Sequence, residues 1–123
     1  MSTTTKHLHA LPFWEHLNNA EKDMLRNNAY IRTFDRDSYI LHSMAGEDIG
    51  LMMLVEGRIR AYLLSPDGRE ITLFSLHDQS ICIFSALSLF NQISFQVFLT
   101  SDCRSRVLVV NMSIMEQLMR NNL

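Results

Sequence analysis

The chain has 123 residues, a formal net charge of −2 and a pI near 6.2, which suits one domain around one core. So balanced a charge leaves no basic surplus to grip a phosphate backbone or an anionic membrane, so this segment is not expected to bind nucleic acid by itself. Two cysteines, Cys82 and Cys103, make no disulfide framework; with eight methionines they fit a reducing, cytoplasmic setting.

The N-terminus, MSTTTKHLHALPFW, lacks the apolar core of a secretory signal. Residues 1–10 are polar and read as an arm, with His7 and His9 as chance neighbours rather than a metal site. Pro12 suits the start of a short helical turn. Asn18, followed three residues later by Glu21, has the form of a capping box opening a helix that buries Met24 and Leu25 and ends at Asn27-Asn28.

From Ala29 the period changes to two. AYIRTF and SYIL read as short strands around the turn Asp35-Arg36-Asp37. After the turn AGED, GLMMLVEG is apolar almost throughout, as expected of a strand covered on both faces. RIRAYLL alternates, with Ile59, Ala61 and Leu63 on one side and Arg58, Arg60 and Tyr62 on the other. Ser65-Pro66-Asp67-Gly68 is a strong turn, and REITLFSL is the return strand.

Between Asp78 and Asp102 no residue is charged. The stretch is long enough to span a membrane, but Ser80, Ser85, Ser88, Asn91, Gln92, Ser94, Gln96 and Thr100 make it too polar for lipid. It reads instead as a small helix near Ser85 to Phe90, then a strand with Ile93, Phe95, Val97 and Leu99 on one face. RSRVLVVN is the last strand. Ser113 and Glu116 form a second capping box, opening a helix with the stripe Ile114, Met115, Leu118 and Met119. Seven or eight short, evenly spaced strands suggest a β-sandwich or jelly roll.

This order of pieces resembles the sensor domain of the Crp/Fnr family of bacterial transcription regulators. The most telling runs are Leu54-Val55-Glu56-Gly57-Arg58-Ile59-Arg60 and Ser65-Pro66-Asp67-Gly68-Arg69-Glu70-Ile71. The resemblance implies a mainly β fold with flanking helices, a double-stranded β-helix or jelly roll of the cyclic-nucleotide-binding-like, cupin type. It divides the chain into an arm (1–10), a β-roll sensor domain with N-terminal helices (11–112) and the start of a truncated dimerisation helix (113–123). It also implies a homodimer in the full-length protein. DNA binding would belong to a helix-turn-helix domain absent from this segment.

Family members that bind cyclic AMP resemble one another in a Gly-Glu-Leu near the small helix and an Arg-Ser/Thr-Ala on the next strand. Here Ile83-Phe84 or Ser85-Ala86 stands at the first place and Ser94-Phe95-Gln96 at the second. No Arg or Lys lies between Arg69 and Arg104, and a buried phosphate without a cation is costly. A cyclic nucleotide is therefore not the expected effector. An iron–sulphur cluster needs a larger thiolate set than two cysteines. Haem would find His42, His77 or Cys82 as axial ligands and an apolar wall, although a Met- and Phe-rich interior explains the same residues without it.

Two readings stay open for Phe84, Ser85, Ala86, Leu87, Ser94, Phe95 and Gln96: the wall of a pocket for a small apolar or weakly polar effector, or ordinary core. Cys82 is either a redox-sensitive thiol or a buried structural one, and Cys103 is expected to be exposed. No catalytic constellation has recognisable spacing, so an enzyme is not expected. The expected function is effector sensing, signalled through the helix at Ser113. The alternative is a ligand- or protein-interaction module of the same fold without a DNA-binding role.

Overall fold

The computed structural model describes residues 3–44, 47, 49–83 and 96–121. In chain order these form α1 (Thr3–Leu8), a 3₁₀ turn (Trp14–His16), α2 (Asn19–Asn28), β1 (Tyr30–Phe34), α3 (Ile40–Ser43), β2 (Ile49–Glu56), β3 (Ile59–Leu64), β4 (Glu70–Leu76), β5 (Ile81–Ile83), β6 (Gln96–Ser101), β7 (Ser105–Asn111) and α4 (Met112–Asn121). The strands pair antiparallel in two sheets, β1-β7-β2-β5 and β4-β3-β6. This is the jelly-roll arrangement expected from the turn spacing.

The first sheet is covered on both faces, which explains why β2 and β7 are apolar almost throughout. Met52, Leu54, Val107 and Val109 point inward to a core shared with Ile59, Ala61, Leu76 and Leu99 of the second sheet. Leu51, Met53, Leu108 and Val110 point outward to a core roofed by the helices. β3 alternates as expected at Ile59 and Ala61, both fully buried, but Tyr62 is also buried, at 6% exposure. Phe98 stacks on its ring at 5.5 Å and its hydroxyl lies 3.1 Å from Thr100 Oγ1. Arg60 lies over the other side of that ring, 4.5 Å from its centroid.

The box at α2 forms as read: Asn18 Oδ1 accepts from the Glu21 N–H at 2.8 Å, and Glu21 Oε1 from the Asn18 N–H at 3.0 Å. Three other expectations are corrected. Residues 1–10 are not a free arm, because 3–8 are helical and Leu8 is fully buried. Leu8, Leu11, Trp14 and Leu17 recur every third residue and are all buried, so the chain is pinned to the sheet through apolar side chains that its polar composition hides. SYIL is not a strand: only Tyr39 bridges to a strand, and the chain turns into α3 at Ile40. The cap of α4 is Asn111, whose Oδ1 accepts from the Ile114 N–H and the Ser113 hydroxyl, each at 3.1 Å, so Ser113 with Glu116 is not the box.

The stripe of α4 is mostly spoken for. Ile114, Met115 and Leu118 are buried in the helical core and Met119 alone of the four is exposed, at 45%. The helix lies so close to β2 that a Cβ on Gly50 would come within 2.7 Å of Met112 Cα. Among the described residues no helix is long and apolar enough to cross a membrane.

Candidate functional site

The site begins at a tight turn. Asp37 takes a left-handed φ of 65°, which Asp tolerates better than most residues. The turn is stapled to the end of β6 by Ser101, which is fully buried. Its hydroxyl donates to Asp35 O at 2.6 Å and accepts from the Ser38 N–H at 3.0 Å. Its backbone N–H donates to Ser38 O at 3.2 Å, and its carbonyl accepts from the Asp37 N–H at 2.8 Å. Tyr39 then bridges Thr100.

Past Tyr39 the chain leaves β6. Ile40 and Met44 are both buried in the inner core, and the turn between them is closed by the Ser43 N–H donating to Tyr39 O at 2.9 Å and the Met44 N–H donating to Ile40 O at 3.1 Å. The departure of α3 opens a gap beside β6, a pocket of about 400 Å³ lined by Tyr39, Leu41, His42, Val97, Phe98 and Leu99. That volume falls within the range of small-molecule sites. Tyr39 meets Phe98 edge to face at 6.3 Å, and Phe98 in turn stacks on Tyr62.

Among the described residues the lining holds no Arg, Lys, Asp or Glu; its titratable side chains are Tyr39 and His42. Arg60, on the neighbouring strand, is engaged with Glu70 at 3.3 Å and Asp102 at 3.9 Å. The pocket therefore offers apolar contact, two rings and a histidine, but no cation to neutralise a phosphate.

Phe84, Ser85, Ala86, Leu87, Ser94 and Phe95, the expected pocket residues, lie outside the described residues, as does the expected small helix at 85–90. Gln96 begins β6, immediately before the lining residues. Cys82 lies in β5, its backbone opposite Met52, and Cys103 is exposed as expected. Of the three possible haem ligands, His42 lines the pocket, while His77 is exposed in the turn between β4 and β5 and lines no part of it. Among the described residues no cluster of three or more metal-ligating side chains exists.

Tyr39 and Leu41 were not anticipated as lining. Reading 38–41 as a strand hid them, since a strand there would have covered the edge of β6. The spacing of Ile40 and Met44 gave no signal, since residues four apart share a side in a strand as well as in a helical turn.

Elsewhere, Glu47 is held against β1. Tyr30 donates to its Oε1 at 2.9 Å, and Arg32 pairs with its Oε2. The bond from Arg32 holds the carboxyl below its ordinary value; desolvation opposes this and the Tyr30 bond adds to it.

Comparison with known proteins agrees with this architecture. The family model described as "Cyclic nucleotide-binding domain" matches residues 31–122. No curated protein matches the sequence significantly. Among solved structures, a protein assigned to the Crp/Fnr family of transcriptional regulators from Eubacterium rectale is 27% identical, with a TM-score of 0.75 over 91% of this chain and 51% of its own. The sensor domain of the transcriptional regulator DNR from Pseudomonas aeruginosa is 16% identical, with a TM-score of 0.74 over 99% of this chain and 82% of its own. CprK, in complex with o-chlorophenolacetic acid, is 23% identical, with a TM-score of 0.55 over 80% of this chain and 41% of its own. The chain thus spans about half the length of the Eubacterium rectale protein. With the model matched across both sheets and α4, the chain belongs to the cyclic nucleotide-binding domain family, in its Crp/Fnr-like form.

Proposed function

We propose that this chain is the effector-sensing domain of a Crp/Fnr-type transcription regulator, and that the pocket between α3 and β6 receives an effector other than a cyclic nucleotide. The observation that carries this is the lining: two aromatic rings, three aliphatic side chains and one histidine, with no cation. A cyclic phosphate placed there would lose its hydration without gaining a charge partner. A small, largely apolar molecule would gain contact on every side.

The signal has a short path. β6 passes through Asp102-Cys103-Arg104 into β7, and β7 runs directly into α4 at Met112. A ligand that favours one spacing of α3 and β6 selects one position of that strand pair, and α4 follows from its end. DNA binding and dimerisation are assigned to the rest of the regulator, with Met119 the exposed member of the apolar stripe of α4. No catalytic step is assigned to this domain.

The test is native mass spectrometry of protein purified from its host, beside a variant whose pocket is filled by Leu41→Trp. A small-molecule adduct on the wild type, lost in the variant while circular dichroism is unchanged, is the expected result. A cyclic-nucleotide adduct, or an adduct that survives Leu41→Trp, contradicts the proposal.

A further inference from the structure

The pocket is bounded on one side by a strand edge, and the direction of that edge can be read from Ser101. The backbone N–H and C=O of Ser101 bond to Ser38 and Asp37, away from β3. Along a strand these groups alternate from side to side. Those of Thr100 and Phe98 therefore face β3, where the register sets them opposite Arg60 and Tyr62. Those of Leu99 and Val97 face the side from which α3 has withdrawn. Among the described residues, chain pairing on that side ends at the Tyr39–Thr100 bridge. Among the described residues, no backbone group pairs with the N–H and C=O of Val97 beyond it.

A molecule that fills the pocket strips water from this donor and acceptor, which is costly unless it satisfies both. A carboxylate accepts but does not donate, so it would leave the Val97 carbonyl unpaired. A cation would find no counter-charge in the lining. We propose that the pocket recognises an uncharged molecule with an amide edge, an N–H beside a C=O as in a lactam or cyclic dipeptide. That edge pairs with the backbone of Val97 as a neighbouring strand would. The apolar remainder of the molecule rests on Leu41, Phe98 and Tyr39. This rests on the pocket being the effector site and names the chemistry it reads.

The probes are the diketopiperazine cyclo(Leu-Phe), its doubly N-methylated form, and phenylacetate. In the free protein the Val97 amide should exchange with solvent faster than that of Phe98, as read by NMR. Added cyclo(Leu-Phe) should protect it. N-methylation should weaken binding by about tenfold or more, the scale of a lost hydrogen bond with its partner left buried. Val97→Pro should do the same while the protein stays folded, because this N–H lies outside the β3 ladder and an edge position tolerates proline.

Equal binding of the methylated and unmethylated compounds overturns the amide edge and leaves the pocket standing, as does binding of phenylacetate alone. A Val97 amide as protected as that of Phe98 in the free protein overturns the open edge. If none of the three probes perturbs the resonances of Leu41, Val97 or Leu99, both this inference and the pocket reading fail. If Val97→Pro does not fold, the exchange and methylation results decide alone.

Discussion

The two faces of the β1-β7-β2-β5 sheet are made from the same two strands, yet they do different work. On the helical face, Leu51, Met53, Leu108 and Val110 meet Leu8, Leu11, Trp14, Leu25, Ile114 and Leu118. On the inner face, Met52, Leu54, Val107 and Val109 meet a second sheet whose β6 edge is open beside α3. A helix roof can close a sheet face by side chains alone. A sheet facing a sheet must also satisfy backbone groups at its edges. Where a neighbouring segment withdraws, as α3 does, the result is a pocket with hydrogen-bonding capacity in its wall. The helical face is thus closed by side-chain packing, and the recognition proposed above falls to the β6 edge of the facing sheet, where Val97, Phe98 and Leu99 line the pocket.

This contrast can be broken by substitution, and the largest effect should come from the helical face. Leu25→Ala removes a fully buried side chain from that core and should cost about 2–5 kcal/mol in urea unfolding. Ligand affinity, measured where the variant is still folded, should not change. A large affinity change would mean that the two faces are coupled.

Gly57→Ala should come next. Gly57 has φ of +115°, and a Cβ there would stand 2.4 Å from Ser105 Oγ. Strain of this kind costs roughly 1–3 kcal/mol, and a thermal melt would show it. An unchanged melting temperature would mean that the hairpin ends shift freely.

The two buried serines sharpen the comparison further. Ser105 accepts from the Arg58 N–H at 3.2 Å and donates to Cys103 O at 2.9 Å, tying the sheets together away from the pocket. Ser101 makes equivalent bonds to the turn that precedes α3. Each serine-to-alanine change removes hydrogen bonds to part-buried backbone groups and should cost about 1 kcal/mol. Only Ser101→Ala should also weaken binding of cyclo(Leu-Phe), because only that staple sets the distance between α3 and β6. Equal affinities for the two variants would remove Ser101 from the pocket's support.

The smallest effect concerns pH. Glu47 has a carboxyl pKa lowered in the fold, chiefly by its bond from Arg32. The unfolded chain then binds the proton more tightly, so this contribution is present above the unfolded value, near 4.3 for Glu. It is lost as pH falls through the lower folded value. Glu47 and Arg32 are partly exposed, at 29% and 34% of their side chains, so the contribution should stay below about 1 kcal/mol. Glu47→Gln should lower the urea midpoint slightly at neutral pH and converge with the wild type in acid. A constant difference across the acid range would contradict the assignment.

Much of the fold was legible along the chain, for reasons that differ by element. The Asn18–Glu21 cap and the Ser65–Gly68 turn depend on neighbours in sequence, and both stand as read. The unbroken apolar runs of β2 and β7 reported that their sheet would be covered twice. The candidate site was less legible. Its location near the uncharged stretch was anticipated, but Tyr39, Leu41 and His42 reach it because a predicted strand is a helical turn. SYIL, with only Tyr39 and Ile40 β-prone, carries too little local preference to decide between the two. What decides is the inner core, which takes Ile40 and Met44 together.

The stripe of α4 shows the same division. Its spacing announced an amphipathic helix, but whether the stripe meets a second subunit or its own sheet depends on where the helix lands. It lands on β2, packed against Gly50, and only Met119 is left exposed. By itself the sequence determined most of the strands, the Asn18–Glu21 cap, the Ser65–Gly68 turn and the family likeness, because each is written in residues close together. Only the tertiary structure decided which edge stays open, which serine holds it and which apolar residues are already satisfied. Those outcomes depend on contacts between segments far apart in the chain, such as Ser101 with Asp35, which no local pattern encodes.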